Sequence, residues 1–298
     1  MFKNILIIGC GMIGSSILRG AINQKLCRTV YVFEKNVKYQ TQIKKINKKI
    51  ILIKKLDKKI MNMDLVVIST PMSEYQKIIN KLNANLSKKT LITDVGSTRG
   101  NVKKLIKEKL SKKLNWIMSH PIAGSEASGP KYGSKNLFKN KWCILIKSKK
   151  NKMLENKLSR FWKKLGSKVL FMQEQEHDKI FSVTSHLPHL IAYNLIKTAQ
   201  DFQKSYKKNI IKYSAGGLRD FSRIAASNEI MWRDIFFNNK KNISRAIDLF
   251  IKNLNSFKKD INSQNNRSII KKLIQTKKVR SKIIRLKQDI NKPDFGRN

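Results

Sequence analysis

A glycine-rich turn near the N-terminus constrains the fold of this chain more than any other segment. An apolar run, Asn4–Ile8, leads directly into Gly9–Gly14 (GCGMIG), and an amphipathic stretch follows. In this order of strand, turn and helix, the glycines allow a tight turn and let a pyrophosphate approach the backbone, while the helix start supplies N–H donors. The motif therefore predicts a dinucleotide-binding domain. The residues of the turn predicted to contact the cofactor are Gly9, Gly11, Met12, Ile13 and Gly14.

The first half of the chain alternates short apolar runs with amphipathic stretches. This alternation is typical of βαβ units and predicts an α/β fold with a Rossmann-type, doubly wound parallel sheet. The predicted strands are Asn4–Ile8, Val30–Glu34, Ile50–Ile53, Leu65–Ser69, Leu91–Val95, Trp116–Ser119, Trp142–Ile146 and Val169–Met172. Between the last two strands, we predict a helix over Leu154–Leu165 that ends at Gly166.

From about His177 onward the pattern becomes helical. Apolar residues recur at spacings of three and four and mark one wide helix face, which predicts a buried helix. These residues are Ile243, Ala246, Ile247, Phe250, Ile251, Leu254, Phe257 and Ile261. Because a helical half with this much apolar surface often pairs with its own copy, we expect a homodimer. We therefore predict a dinucleotide-binding domain over 1–173 and an all-helical substrate and dimerisation domain over 174–298, with a basic tail that is loose over Asp289–Asn298.

The end of the second predicted strand bears on the choice of cofactor. Glu34 lies there, and a carboxylate at this place accepts hydrogen bonds from the adenosine ribose and repels a 2′-phosphate. The sequence thus predicts NAD rather than NADP. NADP stays open as an alternative, because Lys35 or Lys38 could contact its 2′-phosphate. Three residues that close the fourth strand at the same sheet edge should also border the cofactor: Ser69, Thr70 and Pro71.

Histidine is scarce, with four residues in the chain, yet three of them lie in two short stretches, Ser119–Glu126 and Ser185–Asn194. Histidine is the side chain best matched to proton transfer near neutral pH. His120 and Ser97 follow neighbouring predicted strands, so both should project toward the nicotinamide. We predict that neutral His120 accepts a substrate hydroxyl proton. The structural alternatives are a hydrogen-bonded histidine at a strand end and, for Ser97, a helix cap.

The second stretch places His186 and His189 three residues apart, on one face of a predicted helix. This spacing could bind a metal, but the sequence fixes no acidic third ligand, so we predict no metal site. A polar patch that faces the substrate is the favoured interpretation.

Three arginines, Arg219, Arg223 and Arg233, lie near two glycines and two aspartates. Guanidinium groups pair with carboxylates through two parallel hydrogen bonds, so the group predicts recognition of a carboxylate substrate. Arginines on a helix are also often simply solvated. In a chain dominated by lysine, a local preference for arginine favours recognition.

The formal net charge of +45 raises the alternative of a basic nucleic-acid-binding protein. The lysines are spread along the whole chain together with isoleucine and asparagine, the residues that AT-rich codons encode, and no groove-reading motif is present. We therefore expect no nucleic-acid partner; DNA binding by charge alone would collapse with salt. The positive field would attract an anionic substrate. No apolar run reaches membrane-spanning length, and three cysteines without a CxxC pair indicate a reducing cytoplasm.

Taken together, these segments resemble the prephenate dehydrogenase family, which includes arogenate and cyclohexadienyl dehydrogenases. The resemblance extends from GCGMIGSS through TDVGSTR, SHPIAGSE, HDKIFSVTSHLPHLIAY and GGLRDFSRIAASNEIMWRDIF, or about Phe2–Asn239. It implies a Rossmann-type domain followed by an all-helical domain that forms the dimer, in agreement with the pattern described above. The implied reaction is the NAD-dependent oxidative decarboxylation of prephenate, a small dicarboxylate, to 4-hydroxyphenylpyruvate in tyrosine biosynthesis.

The resemblance also implies roles for single residues. His120 resembles the catalytic histidine that bonds the ring hydroxyl, and Ser97 resembles the residue that orients it and touches both hydroxyl and nicotinamide. The implied substrate-site residues are His189 at the side chain, His186 nearby, Arg223 at a carboxylate, Glu126 and Asp220 at the pocket entrance, and Trp232 near the subunit boundary. Two alternatives within enzymes remain: an arogenate or dual-specificity cyclohexadienyl dehydrogenase that gives tyrosine directly, and a β-hydroxyacid or imine dehydrogenase, for which no lysine stands out.

Overall fold

The structure, a computed structural model, describes residues 2–148 and 151–286. Its main feature is a six-stranded parallel sheet with the order β3-β2-β1-β4-β5-β6. The strands are β1 (Phe2–Ile8), β2 (Cys27–Phe33), β3 (Ile51–Leu52), β4 (Leu65–Ile68), β5 (Leu91–Asp94) and β6 (Asn115–Trp116). The strand order reverses between β1 and β4, and in open parallel sheets ligands bind beyond the carboxyl ends of the strands at such a point.

Helices cover both faces of this sheet. They are α1 (Met12–Asn23), α2 (Val37–Lys44), α3 (Tyr75–Asn85), α4 (Gly100–Lys109) and α5 (Lys152–Lys164). Alternate residues of β1 enter opposite cores: Ile5 and Ile7 pack in one apolar cluster with α1 and α5, and Leu6 and Ile8 in another with α3 and α4. A parallel strand buried on both faces needs such a continuous apolar run. The predicted doubly wound α/β sheet is confirmed.

A second sheet of three strands follows, with β8 (Trp142–Ile146) between β7 (Ser119–Pro121) and β9 (Lys168–Met172). β7 is antiparallel to β8, and β9 is parallel to it. The predicted single strand Trp116–Ser119 is therefore wrong, because the chain changes sheets within it. Ile117 and Met118, which lie between the two strands, are both buried, so no change in polarity marks the switch.

The other seven predicted strands form, with ends that shift by at most three residues. The predicted helix before the last strand forms as α5, and Gly166 follows its end with a φ of +98°, a left-handed conformation that favours glycine.

The described residues after β9 form helices only, as predicted. They are α6 (Glu174–Phe181), a π-helical turn over Ser182–His186, α7 (Leu187–Tyr206), a 3₁₀ turn over Ile211–Tyr213, α8 (Gly216–Ala225), α9 (Glu229–Asn238), α10 (Lys240–Asn262) and α11 (Asn266–Arg285). The chain divides into two compact units. The first comprises Met1–His186 with Ala226–Lys240, and the second Leu187–Ala225 with Lys241–Asn298. The predicted boundary between 173 and 174 thus falls inside the first unit. The predicted loose tail, Asp289–Asn298, lies outside the described residues.

The apolar face of α10 does not match the predicted buried helix. Ile243 and Ala246 are buried, but Leu249, Leu254 and Ile261 are 56%, 55% and 63% exposed. The prediction is wrong for the single chain because a periodic apolar face shows only that something covers it, and not that the same chain does. No helix in the described ranges has the length and apolarity needed to cross a membrane.

Candidate functional site

The glycine-rich turn is tightly packed at both ends and open in the middle. A Cβ at Gly9, whose φ is +80°, would lie 2.7 Å from Cγ2 of Thr70, and one at Gly14 would lie 2.3 Å from the carbonyl oxygen of Gly9. A Cβ at Gly11 would meet nothing within 4 Å. The turn therefore needs glycine at its ends for its own packing, whereas Gly11 leaves an open approach to the backbone at the start of α1.

Two further observations fit a phosphate-bearing ligand at this place. Gly11 precedes α1 and supplies no side-chain cap, so the first N–H groups of the helix keep their capacity to bind an anion. Oγ1 of Thr70, directly after β4, is buried and has no hydrogen-bond partner in the described structure. A bound dinucleotide would satisfy both. The residues present therefore fit the predicted cofactor, with Ser69, Thr70 and Pro71 at the neighbouring strand end.

Glu34 is tied to the turn. Its carboxylate accepts the N–H of Cys10 at 2.7 Å and the N–H of Asn36 at 2.9 Å. Lys35 donates to Glu74 at 2.6 Å, which holds its cation against another carboxylate. Glu34 thus fixes the end of β2 against the turn, at the place where a ribose-binding carboxylate is predicted.

The loop that follows His120 reaches the same turn. Oγ of Ser125 lies 3.5 Å from Sδ of Met12, and a Cβ at Gly124 would lie 3.4 Å from Cε of Met12. Two of the sequence motifs, GCGMIG and SHPIAGSE, are therefore brought together in the first unit.

His120 lies within β7, opposite Ile144, rather than beyond the end of a strand as predicted. Its Nδ1 is 2.8 Å from Nε2 of His177, and Nδ1 of His177 is 2.9 Å from Oδ1 of Asp178. The ring of Phe181 packs against both imidazoles, with centroid distances of 5.1 and 4.4 Å. The structure thus assembles a buried chain of two histidines and a carboxylate.

Burial controls the protonation of the two histidines. It holds the pKa of His120 well below its ordinary value, because the imidazolium would lose hydration, and the neighbouring His177, Arg99 and His186 add repulsion. Burial also lowers the pKa of His177, although its bond to Asp178 opposes the effect. Burial alone would raise the pKa of Asp178, but the donors around it outweigh this and lower it. Near neutral pH, the hydrogen-bonded group of His120, His177 and Asp178 therefore consists of two neutral imidazoles and one carboxylate.

A buried ion pair supports the strand ends beside His120. Asp94, the last residue of β5, accepts hydrogen bonds from Nη1 and Nη2 of Arg99 at 3.2 and 2.8 Å, and both side chains are fully buried. Nη1 of Arg99 also donates to the carbonyl oxygen of Ser119 at 3.2 Å. The carboxylate accepts three more donors at 3.0 Å each: the Tyr75 hydroxyl, Trp116 Nε1 and the Gly96 N–H. This network fixes the loop that carries Ser97 to the strand that carries His120.

Ser97 is half-buried, and no hydrogen bond joins it to His120 in the described ranges. Nδ1 of His120 is bonded to His177 instead, so an orienting role of Ser97 stays a prediction. Contact of Ser97 with the hydroxyl or the nicotinamide stays a prediction.

His186 and His189 fall in different compact units, and the π-helical turn that ends at His186 interrupts the predicted α-helical spacing. His186 is buried, with Nδ1 3.2 Å from Nδ2 of Asn239 and its ring 6.2 Å from that of Trp232. Trp232, implied to lie near a subunit boundary, is itself buried in the first unit. His186 and Trp232 therefore belong to the interior of that unit.

The three arginines are divided between the two compact units. Arg233, in the first unit, donates through Nε and Nη2 to Asp234 at 3.1 and 2.7 Å. Arg219 and Arg223 lie on α8 of the second unit, together with exposed Asp220, and His189 lies on α7 of that unit. Glu126 belongs to the first unit and is half-buried. No group of three or more potential metal ligands occurs within residues 2–148 and 151–286.

His177, Asp178, Asp94 and Arg99 are functional candidates that sequence reasoning missed as site residues. HDKIF is part of a longer motif that carries the family resemblance, and the prediction drawn from TDVGSTR concerns Ser97 alone. The available signal was the scarcity of histidine, since the fourth histidine of the chain is His177.

The fold and the site define a nucleotide-binding α/β protein with a helical second unit. Two family models match the chain, "Prephenate dehydrogenase, nucleotide-binding domain" over residues 21–171 and "Prephenate dehydrogenase, dimerization domain" over residues 173–275. The chain belongs to the prephenate dehydrogenase family, whose members are oxidoreductases.

Individual relatives agree with this assignment. The chain is 30% identical to the cyclohexadienyl dehydrogenase of Zymomonas mobilis, over 94% of this chain and 96% of that protein. It is 30% identical to the prephenate dehydrogenase of Lactococcus lactis, over 93% and 77% respectively. Among solved structures, the prephenate dehydrogenase of Aquifex aeolicus in complex with hydroxyphenyl propionate and NAD+ is 33% identical, with a TM-score of 0.87 over 95% of this chain and 99% of that one.

Proposed function

We propose that this chain catalyses the NAD-dependent oxidative decarboxylation of prephenate to 4-hydroxyphenylpyruvate, a step of tyrosine biosynthesis. The observation that carries the proposal is buried His120, whose Nδ1 is engaged by His177 and whose Nε2 makes no hydrogen bond within the described residues. A neutral imidazole with one available nitrogen suits the acceptance of a hydroxyl proton. Family membership and the similar enzyme solved with NAD+ support the reaction class and the cofactor.

The proposed chemistry requires orientation and one proton acceptor. The turn at Gly9–Gly14 would hold the pyrophosphate of the cofactor, and the Glu34 carboxylate would accept hydrogen bonds from its adenosine ribose. NAD, when bound, supplies the hydride acceptor. His120 takes the hydroxyl proton as hydride leaves the same carbon, and Ser97 contacts that hydroxyl. The ring carboxylate then leaves as CO2, its bonding electron pair aromatises the ring, and the oxygen can take the proton back from His120. Arg223 and His189 bind the substrate's acidic groups and side chain.

Prephenate and arogenate differ only in the side chain, which is a keto acid in prephenate and an amino acid in arogenate. The relative named cyclohexadienyl dehydrogenase favours a second candidate, dual specificity with direct formation of tyrosine from arogenate. The deciding experiment is NADH formation by the purified protein with prephenate and with arogenate, repeated with NADP. Oxidation of neither substrate would refute the proposed function. A tenfold or greater preference for NADP, about 1.4 kcal/mol, would refute the role of Glu34.

We further propose that the protein is a homodimer, because it contains the family's dimerisation domain and leaves the apolar face of α10 exposed. Sedimentation of the full-length protein tests this assembly.

Replacing Gly11 should separate cofactor binding from folding. The Gly11→Ala side chain meets no atom within 4 Å, so the free energy of unfolding should change by no more than about 1 kcal/mol. NAD binding should weaken at least tenfold, because the methyl group occupies the approach to the backbone. Gly9→Ala is the matched contrast: its left-handed φ and the contact with Thr70 should destabilise the fold by about 1–3 kcal/mol. Calorimetry of NAD binding and of unfolding measures both effects. Unaltered NAD affinity in Gly11→Ala would contradict the proposal that the cofactor approaches the backbone at Gly11.

Arg223→Lys should weaken substrate binding by roughly 1.5–3 kcal/mol, because lysine keeps the charge but loses the paired geometry of the guanidinium. The expected signature is a raised KM for the substrate with little change in NAD affinity. Arg219→Lys, an exposed position on the same helix, is the matched control and should leave KM unchanged. If Arg219→Lys alone raises KM, the carboxylate anchor is Arg219.

A further inference from the structure

With both imidazoles neutral, the hydrogen-bonded group His120–His177–Asp178 admits one arrangement of protons. The carboxylate of Asp178 accepts the backbone N–H of Arg99 at 2.8 Å and that of Gly100 at 2.7 Å. Backbone N–H groups can only donate, so Asp178 is an acceptor throughout. Its third neighbour, Nδ1 of His177 at 2.9 Å, must therefore carry a proton.

The proton on Nδ1 of His177 also determines where His120 carries its proton. A neutral His177 that is protonated on Nδ1 has a lone pair on Nε2, which can only accept. Nδ1 of His120, 2.8 Å away, must then be the donor. Because neutral His120 has one ring proton, its Nε2 is left with a lone pair. The hydrogen bond at one ring nitrogen thus decides the chemistry of the other.

We propose that His177, held by Asp178, is a positioning residue that fixes His120 in its Nδ1–H tautomer and presents the Nε2 lone pair to the substrate hydroxyl. The inference rests on the proposed role of His120 as proton acceptor. The opposite tautomer would place a proton on Nε2 and block acceptance. Phe181 packs against both rings and limits their rotation, so the orientation is fixed together with the tautomer.

The same arrangement serves the charged state of His120 during turnover. Once Nε2 has taken the proton, Nδ1–H still donates to His177, and the negative charge of Asp178 lies behind it. The other charged or titratable groups that face His120 are Arg99, which is paired with Asp94, and His186. Since these do not attract an imidazolium, His177 and Asp178 form the side of the site that stabilises it.

The test compares two substitutions of His177. His177→Leu removes the acceptor for Nδ1–H, and we expect kcat to fall at least tenfold with nearly unchanged KM for substrate and unchanged affinity for NAD. His177→Gln keeps an oxygen acceptor and an N–H donor, so most of the lost kcat should return. A residue that merely fills space would instead lose activity in both variants or in neither. Equal kcat in wild type and His177→Leu would overturn the proposal.

A second readout does not depend on turnover. Because the chain has four histidines, nitrogen-15 NMR of ring-labelled protein resolves the protonated nitrogen of each imidazole. We expect the Nδ1–H tautomer for His120 in wild type and in His177→Gln, and a mixture in His177→Leu. An Nε2–H tautomer in wild type overturns the proposal even if His177→Leu does not fold. Failure of wild type to oxidise prephenate or arogenate would instead refute the proposed function, which keeps the two failures distinct.

Discussion

His120→Asn should lower kcat by about 10²–10⁴, the usual contribution of a general acid–base group. Asparagine can still form a hydrogen bond to His177, but its amide has no basic nitrogen to accept the substrate proton. NAD affinity should stay close to that of wild type, because the proposed phosphate-binding turn at Gly9–Gly14 is unchanged. Steady-state kinetics and a binding titration with NAD measure the two quantities. A near-normal kcat would move the role to His189.

The pH dependence of the wild-type enzyme follows from the same residue. Under the proposed role of His120 as proton acceptor, activity requires its neutral form, so kcat/KM should fall as the pH drops through the pKa of this group in the free enzyme. Because burial lowers that pKa from the ordinary value of 6.5, the acid limb should lie below pH 6.5. An acid limb above this value, or the same limb in His120→Asn, would show that another group controls the rate.

Arg99→Met should destabilise the fold by about 3–5 kcal/mol, the usual cost of removing one partner of a buried ion pair. Asp94 would keep its hydrogen bonds from Tyr75, Trp116 and Gly96, but its charge would be left buried without a cation. Chemical denaturation measured by circular dichroism gives the free energy of unfolding. The double variant Asp94→Asn/Arg99→Met removes both charges and should recover a large part of the loss. Equal destabilisation in both variants would show that packing, and not charge, is the cause.

The elements that could be predicted from the sequence are those whose local structure requires a particular residue type at each position. The apolar runs of the parallel sheet and the glycine turn were predictable, because strands buried on both faces must be apolar and Gly9 must adopt a positive φ. The helical second half was equally plain from its periodicity. The motifs around His120 also led to the family, which the comparisons confirmed.

The parts that could not be predicted depend on contacts distant in sequence. His120 and His177 are 57 residues apart, and nothing local to either shows that Nδ1 of one bonds Nε2 of the other. The switch between sheets after Trp116 occurs in a uniformly buried stretch, so no alternation of polarity locates it. The sequence around Arg99 does not distinguish it from the many other basic residues of the chain, and only the fold shows that it is buried against Asp94.

The return of Ala226–Lys240 to the first compact unit affects how genes of this family can be recombined. A chimaera joined at the start of α6 would take Asp178 and His177 from one parent and Arg99, Gly100 and His120 from the other. Asn239 bonds the carbonyl oxygen of Asp178 at 2.8 Å, so this third segment must also come from the parent that supplies α6. An exchange confined to Leu187–Ala225 would leave all these contacts within one parental sequence. If His189 on α7 and Arg223 on α8 bind the substrate as proposed, this exchange would transfer substrate specificity and leave the proposed proton acceptor, His120, with its contacts intact.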